Sequence, residues 1–152
     1  MEERDLKKRL TVLLLLICIT LQLNGCVFVR DEAIPQGYLR TEEYHDSDGM
    51  QDSIDYCKYF YGSEGEEKLR ASGKYQEVNA KDVRLLQAYF EDFRNWMEAT
   101  DQLERYDFET ESINAGDLFF LRTKDGYPEF GYYSLYFFDC ESNVLYYIHA
   151  NI

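Results

Sequence analysis

At 152 residues the chain has room for one domain with appendages and is too short for two of ordinary size. Its composition, 45% hydrophobic and 16% aromatic, supplies enough apolar surface for a core and excludes a disordered polymer. Four of the 16 basic and three of the 29 acidic residues fall in positions 1–25, so the remainder carries 12 basic against 26 acidic, a net −14. Such a surface lacks the clustered Lys and Arg that displace counterions, which argues against nucleic acid as a partner and against membrane attachment through basic charge.

The first nine residues end in the basic cluster Lys7-Lys8-Arg9, and Leu10 to Leu23 then runs without a charge. An apolar core of that length suits a signal peptide, whereas a spanning helix needs about 18 to 20 apolar residues. The core ends in Leu23-Asn24-Gly25-Cys26: an aliphatic residue, a loosely specified one, a small one, then cysteine. This resembles the lipobox of bacterial lipoproteins. The resemblance covers residues 1–26 and implies that the Gly25-Cys26 bond is cut and that the Cys26 thiol receives a diacylglyceryl group. Two acyl chains, at about 0.8 kcal/mol per buried methylene, then hold the mature protein to the extracytoplasmic face of the cell membrane. Residues 1–25 are thus expected to be a removable signal.

Residues 26–50 read as the lipidated cysteine followed by a flexible acidic tether, since Pro35, Gly37 and Gly49 interrupt a stretch with no sustained periodicity. His45-Asp46-Ser47-Asp48-Gly49, with Asp52 and Asp55 beyond, invites a calcium reading. It lacks the third alternating ligand before the glycine and the closing glutamate of an EF-hand loop, so a solvated linker is the better reading and no metal or other cofactor is expected.

The folded domain is expected over 51–152. Asp55 to Tyr61 suits a strand and Glu66 to Ala71 one or two helical turns, both kept short by Gly62, Gly65 and Gly73. Asn79 can cap a helix, with Asp82 as a capping-box partner three residues later and Val78 placed to staple onto Val83. Val83, Leu86, Phe90, Phe93 and Met97 then recur at spacings of three and four, with Tyr89 and Trp96 beside them, predicting an amphipathic helix of about 20 residues. Period-two patterns over 117–123, 131–139 and 144–151, separated by turn-forming residues, predict strands in an antiparallel meander. The expected fold class is α+β: one long amphipathic helix packed on a meander of three or four strands.

Val144, Tyr146, Ile148, Ala150 and Ile152, with Tyr133, Leu135, Phe137, Phe119 and Leu121, form the side expected to meet that helix. The other side carries Phe120, Arg122, Tyr132, Tyr136, Phe138, Tyr147 and His149 and is still apolar and aromatic, the composition of an interaction surface. These seven residues form the candidate binding face, unless residues 51–75 fold over it and bury it. Cys57 and Cys140 either pair in a disulfide, permitted outside the cytoplasm and worth about 2 to 4 kcal/mol, or stay as free thiols.

With only His45 and His149 available, and no glycine-rich elbow, phosphate-cradling loop or zinc-ligand spacing, no catalytic constellation is legible. The sequence therefore favours a membrane-anchored extracytoplasmic binding module over an enzyme. Its partner is expected to be an unidentified protein or envelope glycan, with an immunity or inhibitor role conceivable for so acidic a domain. The alternative is a small cell-envelope hydrolase.

Overall fold

The computed structural model describes residues 31–47, 52–123 and 130–152. The signal and lipidation reading at Gly25 and Cys26, the Asp48-Gly49 pair and the turn at Lys124-Asp125-Gly126 lie outside those residues.

The long helix α2, Ala80–Ala99, starts where its capping residues put it. The Asn79 side chain accepts from the Lys81 N–H at 2.9 Å and the Asp82 carboxylate accepts from the Asn79 N–H at 3.0 Å, satisfying donors that the first turn leaves over. Leu86, Tyr89, Phe90, Phe93 and Met97 are all fully buried, so the stripe read from spacing is the face that packs. A second helix, α1 (Gly65–Ala71), precedes it.

Among the described residues, six strands form one antiparallel sheet: β1 Arg40–Ser47, β2 Ser53–Phe60, β3 Gln76–Glu77, β4 Leu118–Thr123, β5 Tyr132–Asp139 and β6 Val144–Asn151. Their order is β1-β2-β6-β5-β4-β3. The α+β class holds, and β4, β5 and β6 are the expected meander. The sheet has six strands rather than three or four because β2 adds to the free side of β6, β1 adds to β2, and the short β3 pairs with Leu118 and Phe119 of β4.

The tether expectation for 26–50 needs correction, because residues 40–47 are a full strand and the chain is already bound to the domain at Ala33. Ala33 is fully buried, its carbonyl accepts from the Tyr75 hydroxyl at 2.6 Å, and the Pro35 carbonyl accepts from the Tyr61 hydroxyl at 2.5 Å. Residues 33–152 form one compact unit.

The core has two layers. The first lies between α2 and one sheet face, where Ile54, Phe119, Tyr133, Leu135, Phe137, Ile148 and Ala150 meet the helix stripe with Phe108 stacked on Phe90 at 3.8 Å. Tyr56 and Lys58 clamp the segment after α2 onto this layer: both donate to the Asp107 carboxylate at 2.6 Å, and Lys58 also pairs with Glu42 at 2.6 Å. Despite burial, these donors hold the Asp107 carboxyl below its ordinary value. Ile152, expected in this layer, is 42% exposed at the end of β6.

The second layer occupies the opposite sheet face. Leu69 of α1 joins Ala33, Cys57, Tyr59, Tyr61, Leu118, Tyr136, Phe138 and Leu145 there. Gly65 makes this close approach feasible: a Cβ at that position would stand 2.6 Å from the Tyr61 Cβ and 3.1 Å from the Phe138 ring.

Candidate functional site

Strand register arranges the second face in rows that cross five strands. One row runs Thr41, Tyr59, Leu145, Phe138, Leu118; the next runs Glu43, Cys57, Tyr147, Tyr136, Phe120; the third runs His45, Asp55, His149, Ser134, Arg122. The first row and the middle of the second carry the buried residues of the second layer. The third row is polar from end to end. Tyr132, paired with Asn151, extends it by one step.

Exposure divides the candidate binding face. Tyr136 and Phe138 are fully buried, and they are corrected from contact residues to core. The cause is the covering considered above: the segment 61–75 brings Leu69 down on this face, and the N-terminal strap at Ala33 closes it. Phe120 and Tyr147 are partly buried against the same layer, while Arg122 is exposed, Tyr132 is 38% exposed and His149 is intermediate. Phe120, Tyr136 and Tyr147 stack side by side across their strands at 5.5 and 4.8 Å, with the Arg122 guanidinium over the first two rings. An aromatic ladder buried at Tyr136 and partly buried at Phe120 and Tyr147 thus supports a polar-aromatic strip at its edge.

In that strip, His149 Nδ1 is 2.9 Å from the Tyr133 carbonyl oxygen and 3.0 Å from the Ser134 hydroxyl. A carbonyl only accepts, so Nδ1 carries the proton and Nε2 is the nitrogen left for further bonding. The Tyr132 ring stands edge-on to the imidazole at 6.3 Å and Tyr147 lies parallel to it at 6.4 Å. At the other end, His45 Nδ1 bonds the Asp55 carboxylate at 2.8 Å, and its Nε2 lies 3.6 Å from Glu43. The hydrogen bond from Asp55 raises the His45 pKa above its ordinary value, against the opposing effect of burial.

Asp55, His149 and Ser134 stand next to one another on three strands, which in outline suggests a nucleophile with its base and orienting acid. The bonding pattern differs. Asp55 is engaged by His45, the His149 nitrogen nearest Ser134 already carries the proton given to Tyr133, and Ser134 is only 8% exposed. Ser134 is therefore not activated in this geometry.

Cys57 and Cys140 are free. Cys57 lies opposite Tyr147, whereas Asp139, just before Cys140, lies opposite Val144, itself opposite Phe60. The two are thus separated by about 13 Å along the strands and about 10 Å across two strand spacings, beyond the ~7 Å that a disulfide spans between Cα atoms. Of the two alternatives, the structure has the free thiols. Burial, the largest cause at each, pushes Cys57 up to about 12 and Cys140 up to about 11, so both stay protonated.

Among the described residues, no group of three His, Cys, Asp or Glu side chains is placed to hold a metal, and no helix is long and apolar enough to cross a membrane. No family model matches the chain, and neither a curated protein nor a solved structure is detectably similar to it. Sequence reasoning missed His45 and Asp55 as members of the strip. His45 falls within the expected tether and Asp55 begins a short strand to which the sequence assigns no face, and the alternation of β1 is masked by charge on both of its faces.

Proposed function

We propose that this protein is exported, cut before Cys26 and lipidated there, and that its domain binds a protein or glycan of the cell envelope at the extracytoplasmic membrane surface. The observation carrying the binding role is the strip His45, Asp55, His149, Arg122 and Tyr132, polar and aromatic groups held on the rigid centre and edges of a sheet. Rigid tyrosine rings beside fixed hydrogen-bonding groups give contact area at low entropic cost. The lipidation reading rests on Leu23-Asn24-Gly25-Cys26 and on the brevity of the apolar core before it.

The described domain is already anchored at Ala33, which is fully buried and whose carbonyl accepts from the Tyr75 hydroxyl, so only six positions of the sequence separate it from Cys26. On this reading a partner is met close to the bilayer rather than well clear of it.

A photo-crosslinking residue placed at Tyr132 and, in a separate protein, at the exposed Glu91 of α2 tests the binding role in native envelopes. A defined adduct from position 132 and none from 91 supports the strip. Equal labelling from both, or none from either, overturns it.

A further inference from the structure

A cavity of about 170 Å³ opens on the other side of the sheet, between the far end of the β1-β2 hairpin and the C-terminal end of α2. Its walls are Asp46, Asp52, Trp96 and Thr100, with Ile54 and Ile152 as apolar surface. It shares no residue with the polar strip. It is too small for a drug-sized ligand, which needs at least about 300 Å³, but comparable to the ~150 Å³ that accommodates a benzene-sized molecule.

Every electrostatic feature of the walls has the same sign. Asp46 and Asp52 bring carboxylates. The last turn of α2 contains no basic residue, so the negative end of the helix is uncompensated by its own side chains. Trp96 offers the most cation-attracting of the aromatic rings. The Thr100 hydroxyl donates to the Trp96 carbonyl at 3.0 Å, and its oxygen can still accept.

Arg105 lies over the Tyr44 ring at 5.0 Å and its Nε is held by Gln102 at 3.0 Å; it does not line the cavity. Tyr44 donates to one oxygen of Asp46 at 3.2 Å, leaving the second for a ligand.

We propose that this cavity binds a primary alkylammonium group, its short apolar stem against Ile54 and Ile152 and its charged end between Asp46, Asp52 and the face of Trp96. The group belongs either to a free amine or to a lysine side chain of a partner protein. An anion meets two carboxylates and the helix terminus there, and a large ligand does not fit.

Trp96 is the single tryptophan, so its fluorescence reports the site directly. The full chain in detergent micelles is titrated with n-butylammonium, n-butanol, butyrate and a capped tripeptide containing one lysine. The expected result is a saturable change with n-butylammonium, none with butyrate, and at least tenfold weaker binding in Asp52→Asn. Asp52 is an exposed residue whose neutralisation is expected to leave the core intact, with an unchanged circular dichroism spectrum of the variant as the check. Tighter binding of the peptide than of n-butylammonium assigns the group to a protein lysine, and the reverse order assigns it to a free amine. No saturable change with either amine, or an equal response to n-butanol, overturns the proposal.

Discussion

Truncating Leu69 to alanine probes the division of the second sheet face, because that side chain is the only fully buried one that α1 sends into the layer. Leu→Ala in a core costs about 2 to 5 kcal/mol, the loss growing with the cavity that fails to collapse. A helix of seven residues on the surface can settle into part of the gap, so the lower end, about 2 to 3 kcal/mol, is expected. Against a total of about 5 to 15 kcal/mol that is a large fraction, and it lowers Tm by roughly 6 to 18 °C for a domain of this size. Urea and thermal unfolding followed by circular dichroism measure it, with Leu39→Ala, 76% exposed in the native protein, as a control expected within about 0.5 kcal/mol of wild type. If the two variants unfold together, α1 does not cover this face, and Tyr136 and Phe138 return to the list of contact residues.

Gly65→Ala is expected to destabilise by about 1 to 3 kcal/mol although alanine is the better helix former, because the added methyl meets Tyr61 and Phe138; a neutral or stabilised variant in the same unfolding assay contradicts the close approach. His45 holds its proton more tightly when folded, so its contribution is complete below about pH 6.5 and fades as pH rises through the elevated folded value. The urea midpoint of His45→Gln should change less between pH 6 and 8 than that of wild type, by under about 1 kcal/mol given the exposure of the pair, and an unaltered pH slope refutes the link to Asp55. Alkylation under denaturing conditions without reductant should add two groups to the domain, at Cys57 and Cys140; a mass showing neither modified means a disulfide that this sheet register forbids.

Where local physics and tertiary packing agree, the sequence was informative. Asn79, Asp82 and the stripe from Val83 to Met97 mark α2 because a cap and a 3.6-residue period survive into the structure. The alternation of β4, β5 and β6 assigns nearly every side chain to its face, because each strand has a packed layer on at least one side. β1 was not legible: as an edge strand it buries almost nothing, and Glu42, Glu43, His45 and Asp46 serve an exposed border, where charge discourages further pairing. Nor was the fate of the second face, since burial of Tyr136 depends on where Leu69 and Ala33 arrive, and neither carries a local signal for it. The strip was found only in part for the same reason: Arg122, Tyr132 and His149 lie on strands of the legible meander, whereas β1 with His45 is not legible and Asp55 on β2 joins the row only through long-range register.

The mass of the membrane-bound protein, measured before and after replacing Cys26 with alanine, tests the lipid-anchored reading most directly. The account predicts a chain lacking residues 1–25 with a diacylglyceryl-bearing Cys26, and a Cys26→Ala protein that is neither cut at that bond nor lipidated. An unmodified cysteine with an intact N-terminus in the membrane fraction contradicts it.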